Sequence, residues 1–168
     1  SNTMVFYAVE TLTQTMFYRR MVTSGPCFDA AASISNVVTI SVFPFPTPDA
    51  GPDMSVCGIK DTLRAKATIY SGIWTSDNSN DNFFNPTDTN SVVEIESGSY
   101  GLHTFYWTET NNNLCTATDT VLNIFFEIPD ADAGSDADVC GLIDTLNATP
   151  SVPGSTGFWT SNVASDSF

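Results

Sequence analysis

The chain has 168 residues and carries 5 Lys plus Arg against 19 Asp plus Glu, a formal net charge of −14. Nothing in that balance could neutralise a phosphate backbone, so nucleic acid is excluded as a partner, and an anionic membrane surface would repel the chain for the same reason. No apolar run is long enough to span a bilayer as a helix, so membrane insertion is not expected.

Residues 1 to about 45 read as the back half of a unit. Thr15 to Thr23 and Val37 to Val42 are short β-branched and aromatic runs. They are bounded by Ser24-Gly25-Pro26 and by Pro44, Pro46 and Pro48, which is strand punctuation. Setting Cys27 on Cys115, an offset of 88 (115 − 27), also places Phe17-Tyr18 on Phe105-Tyr106.

Next comes Asp49-Ala50-Gly51-Pro52-Asp53-Met54-Ser55-Val56-Cys57-Gly58, followed by Asp61-Thr62-Leu63. It returns as Asp132-Ala133-Gly134-Ser135-Asp136-Ala137-Asp138-Val139-Cys140-Gly141, followed by Asp144-Thr145-Leu146, at an offset of 83 (140 − 57). Gly72-Ile73-Trp74-Thr75-Ser76 returns as Gly157-Phe158-Trp159-Thr160-Ser161 at an offset of 85 (157 − 72). Two blocks recurring in order define a tandem array, so fold and function are argued per repeat. Residues 1–45 are the C-terminal part of one repeat, 46–128 a complete repeat, and 129–168 the N-terminal part of the next. With the repeat cut at both ends, the segment is expected to be an internal piece of a longer protein.

In the complete repeat, Leu63, Ala65 and Ala67 alternate with polar neighbours, the pattern of a half-buried strand. Ile73-Trp74-Thr75 begins another, and Thr75 to Asn90 is polar turn and loop. Val93 and Ile95 alternate with Val92, Glu94 and Glu96. In the aromatic strand Tyr100 and Leu102 share one parity and Phe105 and Trp107 the other. A one-residue bulge near His103-Thr104 would bring both pairs to the core. Trp74, Tyr100, Leu102, Phe105, Trp107 and Trp159 are the expected core residues. No stretch supports an amphipathic helix longer than two turns, and the fold is predicted to be all-β: tandem immunoglobulin-like β-sandwich repeats of about 83 to 88 residues.

The order Cys57, Trp74, Cys115 predicts a disulfide within the complete repeat, as in immunoglobulin-like sandwiches. Closing its 58-residue span (115 − 57) would contribute roughly 4 kcal/mol by chain entropy. Cys27 and Cys140 are then expected to pair with cysteines outside the segment, a Cys27–Cys57 bridge across the joint being the alternative. Disulfides imply an oxidising, extracytoplasmic site.

The wording Asp49-Ala50-Gly51-Pro52-Asp53, Val56-Cys57-Gly58, Gly72-Ile73-Trp74-Thr75, Gly98-Ser99-Tyr100 and Cys115 resembles the Ig-like/PKD-like repeats of very large secreted surface proteins of Bacteroidota. Phe17 to Gly25 and Ser35 to Ile40 resemble the tail of the same repeats, and gliding-motility adhesins are the best-known carriers. The resemblance implies export by the type IX secretion system, display on the cell surface, and adhesive or spacer roles. The chain departs from the pattern in lacking a C-terminal sorting domain and in the extra residue of the aromatic strand. Asp61-Thr62-Leu63, Asp119-Thr120-Val121 and Asp144-Thr145-Leu146 resemble the Bacteroidota O-glycosylation site, which nominates Thr62, Thr120 and Thr145.

Catalysis has little to stand on. The single histidine, His103, lies in an aromatic strand, the carboxylates are scattered on turns, and there is no glycine-rich phosphate loop. No cofactor is expected, with Ca²⁺ the one exception: Asp130, Asp132, Asp136 and Asp138 crowd one joint, with Asp49 and Asp53 at the other, although the spacing fits no EF-hand and Asp also caps turns. Exposed aromatics could grip a polysaccharide; Phe83-Phe84, inside a polar loop, is the pair hardest to place in a core. The sequence therefore reads as a shaft segment of an extracellular cell-surface adhesin or filament. Its partners would be neighbouring repeats, other copies, surface polysaccharide, or secretion and motility machinery. A carbohydrate-binding module and spacer repeats of a secreted hydrolase are the alternatives.

Overall fold

The computed structural model describes residues 11–23, 33–66, 68–112, 115–149 and 152–163. Among them there is no helix. In the first segment β1 (Met16–Tyr18) pairs antiparallel with β4 (Val38–Ile40), and β2 (Met21–Val22) with β3 (Ser33–Ile34).

The complete repeat holds seven strands: β5 (Met54–Cys57), β6 (Lys60–Thr62), β7 (Ser71–Ser76), β8 (Asn82–Phe83), β9 (Val92–Glu94), β10 (Gly101–Asn111) and β11 (Cys115–Phe126). They form a four-stranded sheet in the order β5-β11-β10-β7 and a three-stranded sheet in the order β6-β9-β8. The first strand of the repeat joins the last in parallel, Met54 facing Asn123 and Cys57 facing Phe126, while every other pairing is antiparallel. This strand order, with the core between the two sheets, is an immunoglobulin-like β-sandwich.

Alternation decides which residues fill that core. Along β10 the odd positions 103, 105, 107, 109 and 111 are all buried and the even ones are not. β11 supplies Val121 and Phe125, and the facing sheet supplies Leu63, Ala65, Val93 and Ile95. Beyond β6 the chain leaves strand geometry yet keeps its pairing, since the N–H groups of Leu63 and Ala65 donate to the carbonyls of Ser91 and Thr89. At the centre Trp74 and Trp107 are direct cross-strand partners with ring centroids 5.1 Å apart. Both indole N–H groups are satisfied, Trp74 by the Asp88 carbonyl and Trp107 by Glu109 Oε1.

Three expectations are corrected. There is no bulge in the aromatic strand: β10 and β11 pair one for one from Gly101↔Phe125 to Asn111↔Cys115. Leu102 therefore points outward, 62% exposed, and the inward place goes to His103. Tyr100, just before the strand, packs partly buried against the core. The predicted Cys57–Cys115 bridge is not formed either. Cys57 lies opposite Phe126, eleven residues along β11 from Cys115 (126 − 115). At about 3.3 Å per residue that is roughly 35 Å, against the ~7 Å between Cα atoms that a disulfide tolerates. The tilted Trp74–Trp107 pair, not a disulfide, links the strands at the centre. Third, the polar loop contains a strand, β8, which sends Phe83 edge-on against Phe105 at 5.9 Å; Phe84 stays exposed with the Lys60 ammonium 5.6 Å above its ring.

In the last segment an isolated bridge joins Asp132 to Thr149. Trp159, an expected core residue, is only half-buried there and lines an open cleft with Asp130 and Asp132.

Gly72 lies directly beneath the Trp107 ring, and a Cβ there would collide with the indole. Gly72→Ala is expected to lower stability by about 1–3 kcal/mol in chemical denaturation. Gly141→Ala, where a Cβ meets nothing, should change it by less than about 0.5 kcal/mol.

Candidate functional site

Both ends of the inward row of β10 are polar, and each of these side chains has a hydrogen-bond partner, although Asp81 Oδ1 and Glu109 Oε2 are left without one. At one end, the buried His103 places Nδ1 3.0 Å from both carboxylate oxygens of Asp81 and Nε2 2.7 Å from the Ser99 carbonyl. Acceptor groups facing both ring nitrogens favour the doubly protonated ring. Burial alone would push the His103 pKa down. The hydrogen bonds to Asp81 and Ser99, with the charges of Asp81 and Asp77, outweigh it and the net shift is upward.

Ser76 completes this cluster, its hydroxyl donating to Asp81 Oδ2 at 2.5 Å. The three residue types are those of a hydrolytic triad, but they are connected in the wrong order. The serine bonds the aspartate, and neither imidazole nitrogen is left to take a proton from a nucleophile. The cluster anchors the Ser76–Asp81 loop to the core side of β10. Toward the other end, Glu109 is fully buried, and its Oε1 accepts from Thr68 and Trp107. Asn111 reaches across the joint to donate to the Pro44 carbonyl at 2.8 Å. None of these polar anchors except His103 was singled out from the sequence. For Glu109 and Asn111 the signal was available, since an unbroken alternation from 103 to 111 names them.

The joint turn is the second structured feature. Asp49 Oδ1 accepts the Gly51 N–H, the Asp49 carbonyl accepts the Lys66 N–H, and the Lys66 ammonium closes on the Asp49 carboxylate. Lys66 and the Gly51 N–H hold the Asp49 carboxyl below its ordinary range. Asp119 accepts the Ala50 N–H and Asp53 the Leu122 N–H, fastening the turn to β11. Gly51 has φ +87° and faces the Arg64 carbonyl so closely that no Cβ would fit.

The same arrangement recurs 83 residues on (134 − 51). Gly134 has φ +85° and faces the Asn147 carbonyl, Asp132 Oδ1 accepts the Gly134 N–H, and the Asp132 carbonyl accepts the Thr149 N–H. Asp49, Asp53, Asp119 and Asp132 thus cap backbone. Among the described residues no three acidic, histidine or cysteine side chains converge as a metal would need, so Asp130, Asp132, Asp136 and Asp138 are not brought together.

Thr62, Thr120 and Thr145 are all exposed. Among the described residues of the complete repeat Trp74, Trp107 and Phe83 turn inward rather than forming an exposed aromatic row. Cys140 is exposed, and Cys27 lies outside the described residues. The outer face of the four-stranded sheet presents Leu102, Leu122, Ile124 and Phe126 among threonines. The even positions of β10 and β11 that form it carry no charged residue, against 24 charges in the chain (5 + 19).

A family described as a domain of unknown function (DUF8696) matches residues 1–44. No curated protein matches the chain. Among solved structures the chain is similar to the solution structure of the PKD domain from KIAA 1837 protein, at 18% identity and a TM-score of 0.41, covering 58% of this chain and 99% of that one.

A raised folded pKa sets the sign of the pH effect. The His103–Asp81 pair stabilises fully below the ordinary histidine value of 6.5 and is lost as pH rises through the folded value. Denaturation midpoints should therefore fall as pH rises from 6.5 through the folded value, and His103→Gln should flatten that dependence. Asp81→Ala, which strands a buried cation, is expected to cost about 3 kcal/mol at pH 6.

Proposed function

We propose that the chain is a shaft segment of a long secreted cell-surface adhesin or filament, in which stacked immunoglobulin-like repeats set length, carry load and display a binding tip elsewhere. The observation that carries this reading is the joint turn, repeated with the same caps and the same glycine–carbonyl approach at Gly51 and Gly134. A turn built the same way twice gives successive repeats the same start, which is what a regular array needs.

The strand order supports a load-bearing role. Tension on a linked array draws β5 towards the N-terminal end of the repeat and β11 towards the C-terminal end. Because the two strands are parallel neighbours, the hydrogen bonds between them lie across the force and are loaded together in shear. Unzipping one bond at a time is not available to this geometry. The uncharged outer face is where chains of like charge could lie side by side, making other copies the favoured lateral partners. The reading includes an extracellular, non-enzymatic role and O-glycans on Thr62, Thr120 and Thr145. It is built without calcium, with Asp49, Asp53, Asp119 and Asp132 serving as backbone caps.

Pulling the chain in a force spectrometer tests the mechanism. Of two adjacent edge-strand residues one points its N–H at the neighbour, so Ser55→Pro or Val56→Pro should remove a donor from the β5–β11 ladder. One of the two is expected to lower the unfolding force of the complete repeat markedly. Equal force in both variants and in the parent chain would remove the shear clamp. Separately, peptides spanning Thr62 and Thr145 from the secreted protein should weigh more than their bare sequence; unmodified masses would dismiss the glycans.

A further inference from the structure

The four-stranded sheet of the complete repeat has one face in the core and one in solvent, and the solvent face is uncharged across all four strands. β5 turns Ser55 and Cys57 outward and β7 turns Ser71, Ile73 and Thr75 outward, while the even positions of β10 and β11 carry only threonine, tyrosine, leucine, isoleucine and phenylalanine. Asp53 and Asp77 stand just outside it, before β5 and after β7. Depletion of charge is what distinguishes the core of a protein–protein contact from ordinary surface. Strands of 4, 12, 11 and 6 residues, at about 3.3 Å per residue and 4.8 Å between neighbours, give the face about 500 Å². Two such faces together cover about 1,000 Å², the size at which a specific contact becomes possible.

The face is divided along its strands. At the downstream end Leu102 is the register partner of Ile124, with Leu122 and Phe126 two positions to either side on β11, and these four are between 40% and 62% exposed. They form one contiguous apolar patch in contact with water. Toward the upstream end the partners are Tyr106↔Thr120, Thr108↔Thr118 and Thr110↔Thr116, and the hydroxyls of Thr108 and Thr118 bond each other at 2.8 Å. Ile73, at the β7 edge, is the apolar exception in this hydroxyl-lined half.

We propose that this face is covered by the same face of a second copy, with the two chains running parallel. The partner follows from charge. A cationic partner is drawn to acidic surface, and this face offers none. Two copies carrying −14 each repel wherever both present their carboxylates, and an uncharged face is where they meet without that cost. The sense follows from the division of the face. A two-fold axis along the strands lays the apolar half on the apolar half and hydroxyls on hydroxyls; an axis across the strands would set leucine and phenylalanine over threonine. The inference rests on the shaft reading and deepens it: parallel chains keep their tips at one end, and a contact that is weak per repeat is multiplied when the repeats are linked.

The test is sedimentation of the full chain, kept reduced, at rising protein and salt concentration. Self-association that strengthens with salt is expected, because screening removes the repulsion between like charges and leaves the apolar contact in place. Leu102→Lys and Ile124→Lys, both at exposed positions, should each weaken it about tenfold or more with little change in the denaturation midpoint. Phe84→Ser, at an exposed aromatic outside this sheet, should leave it unchanged. Chains labelled separately at the α-amino group with donor and acceptor dyes, then mixed, should show energy transfer when associated, since parallel pairing brings like ends together. A chain that stays monomeric up to about 1 mM, association that weakens with salt, or association indifferent to both lysine variants would overturn the pairing and leave the face to a partner of other chemistry. Association without energy transfer would overturn the parallel sense. A monomer that keeps the β5–β11 shear clamp in the force spectrometer removes the lateral pairing alone, so the two readings fail separately.

Discussion

The complete repeat depends on the unbroken pairing of β10 with β11. Eleven successive partners, Gly101↔Phe125 to Asn111↔Cys115, leave no residue over, and a strand without a leftover residue sends every second side chain to the same face. That single constraint puts His103, Phe105, Trp107, Glu109 and Asn111 in the interior together. Two aromatic residues supply the apolar contact, and the polar residues flanking them have to be answered by the rest of the fold. Asp81 answers His103, Thr68 and the Trp107 indole answer Glu109, and the Pro44 carbonyl answers Asn111. A buried polar group left without such a partner would cost about 1–3 kcal/mol. The row therefore dictates where the Ser76–Asp81 loop and the upstream joint must lie.

This explains what the sequence made legible and what it did not. The all-β class and the repeat were readable because alternation and the recurring Asp-Ala-Gly blocks are local signals. Trp74, Phe105 and Trp107 were readable for the same reason. Leu102 was misplaced because an apolar residue was preferred to a histidine for the core; the ion pair that makes His103 acceptable is formed with Asp81, which only the folded chain brings near. Phe83 was hidden in a polar loop because a two-residue strand is too short to show a period. The cysteine pairing failed on distance. Their order around Trp74 matched an immunoglobulin-like pattern, but order says nothing about which end of a twelve-residue strand, β11, each one occupies.

The acidic joint also gains a cause. Aspartate at a turn reads as a metal ligand or as a backbone cap, and the choice turns on where the oxygens point. Asp49, Asp53, Asp119 and Asp132 each accept a backbone N–H. Two of those bonds span 69 positions, from Asp119 to Ala50 and from Asp53 to Leu122 (119 − 50 and 122 − 53). They fasten the start of the repeat to its last strand. The glycine with φ near +87° then brings the chain against the Arg64 carbonyl, a geometry closed to any residue with a Cβ.

The first and the last strands of the repeat meet at β11. β11 receives β5 in parallel at its downstream end and pairs with β10 from Cys115 to Phe125, so the first strand of the repeat is tied directly to its longest ladder. Cys57 sits where β5 finishes against β11, and Cys115 where β11 begins. A bridge within the repeat would have to span the whole of β11, and order around Trp74 alone does not reveal that.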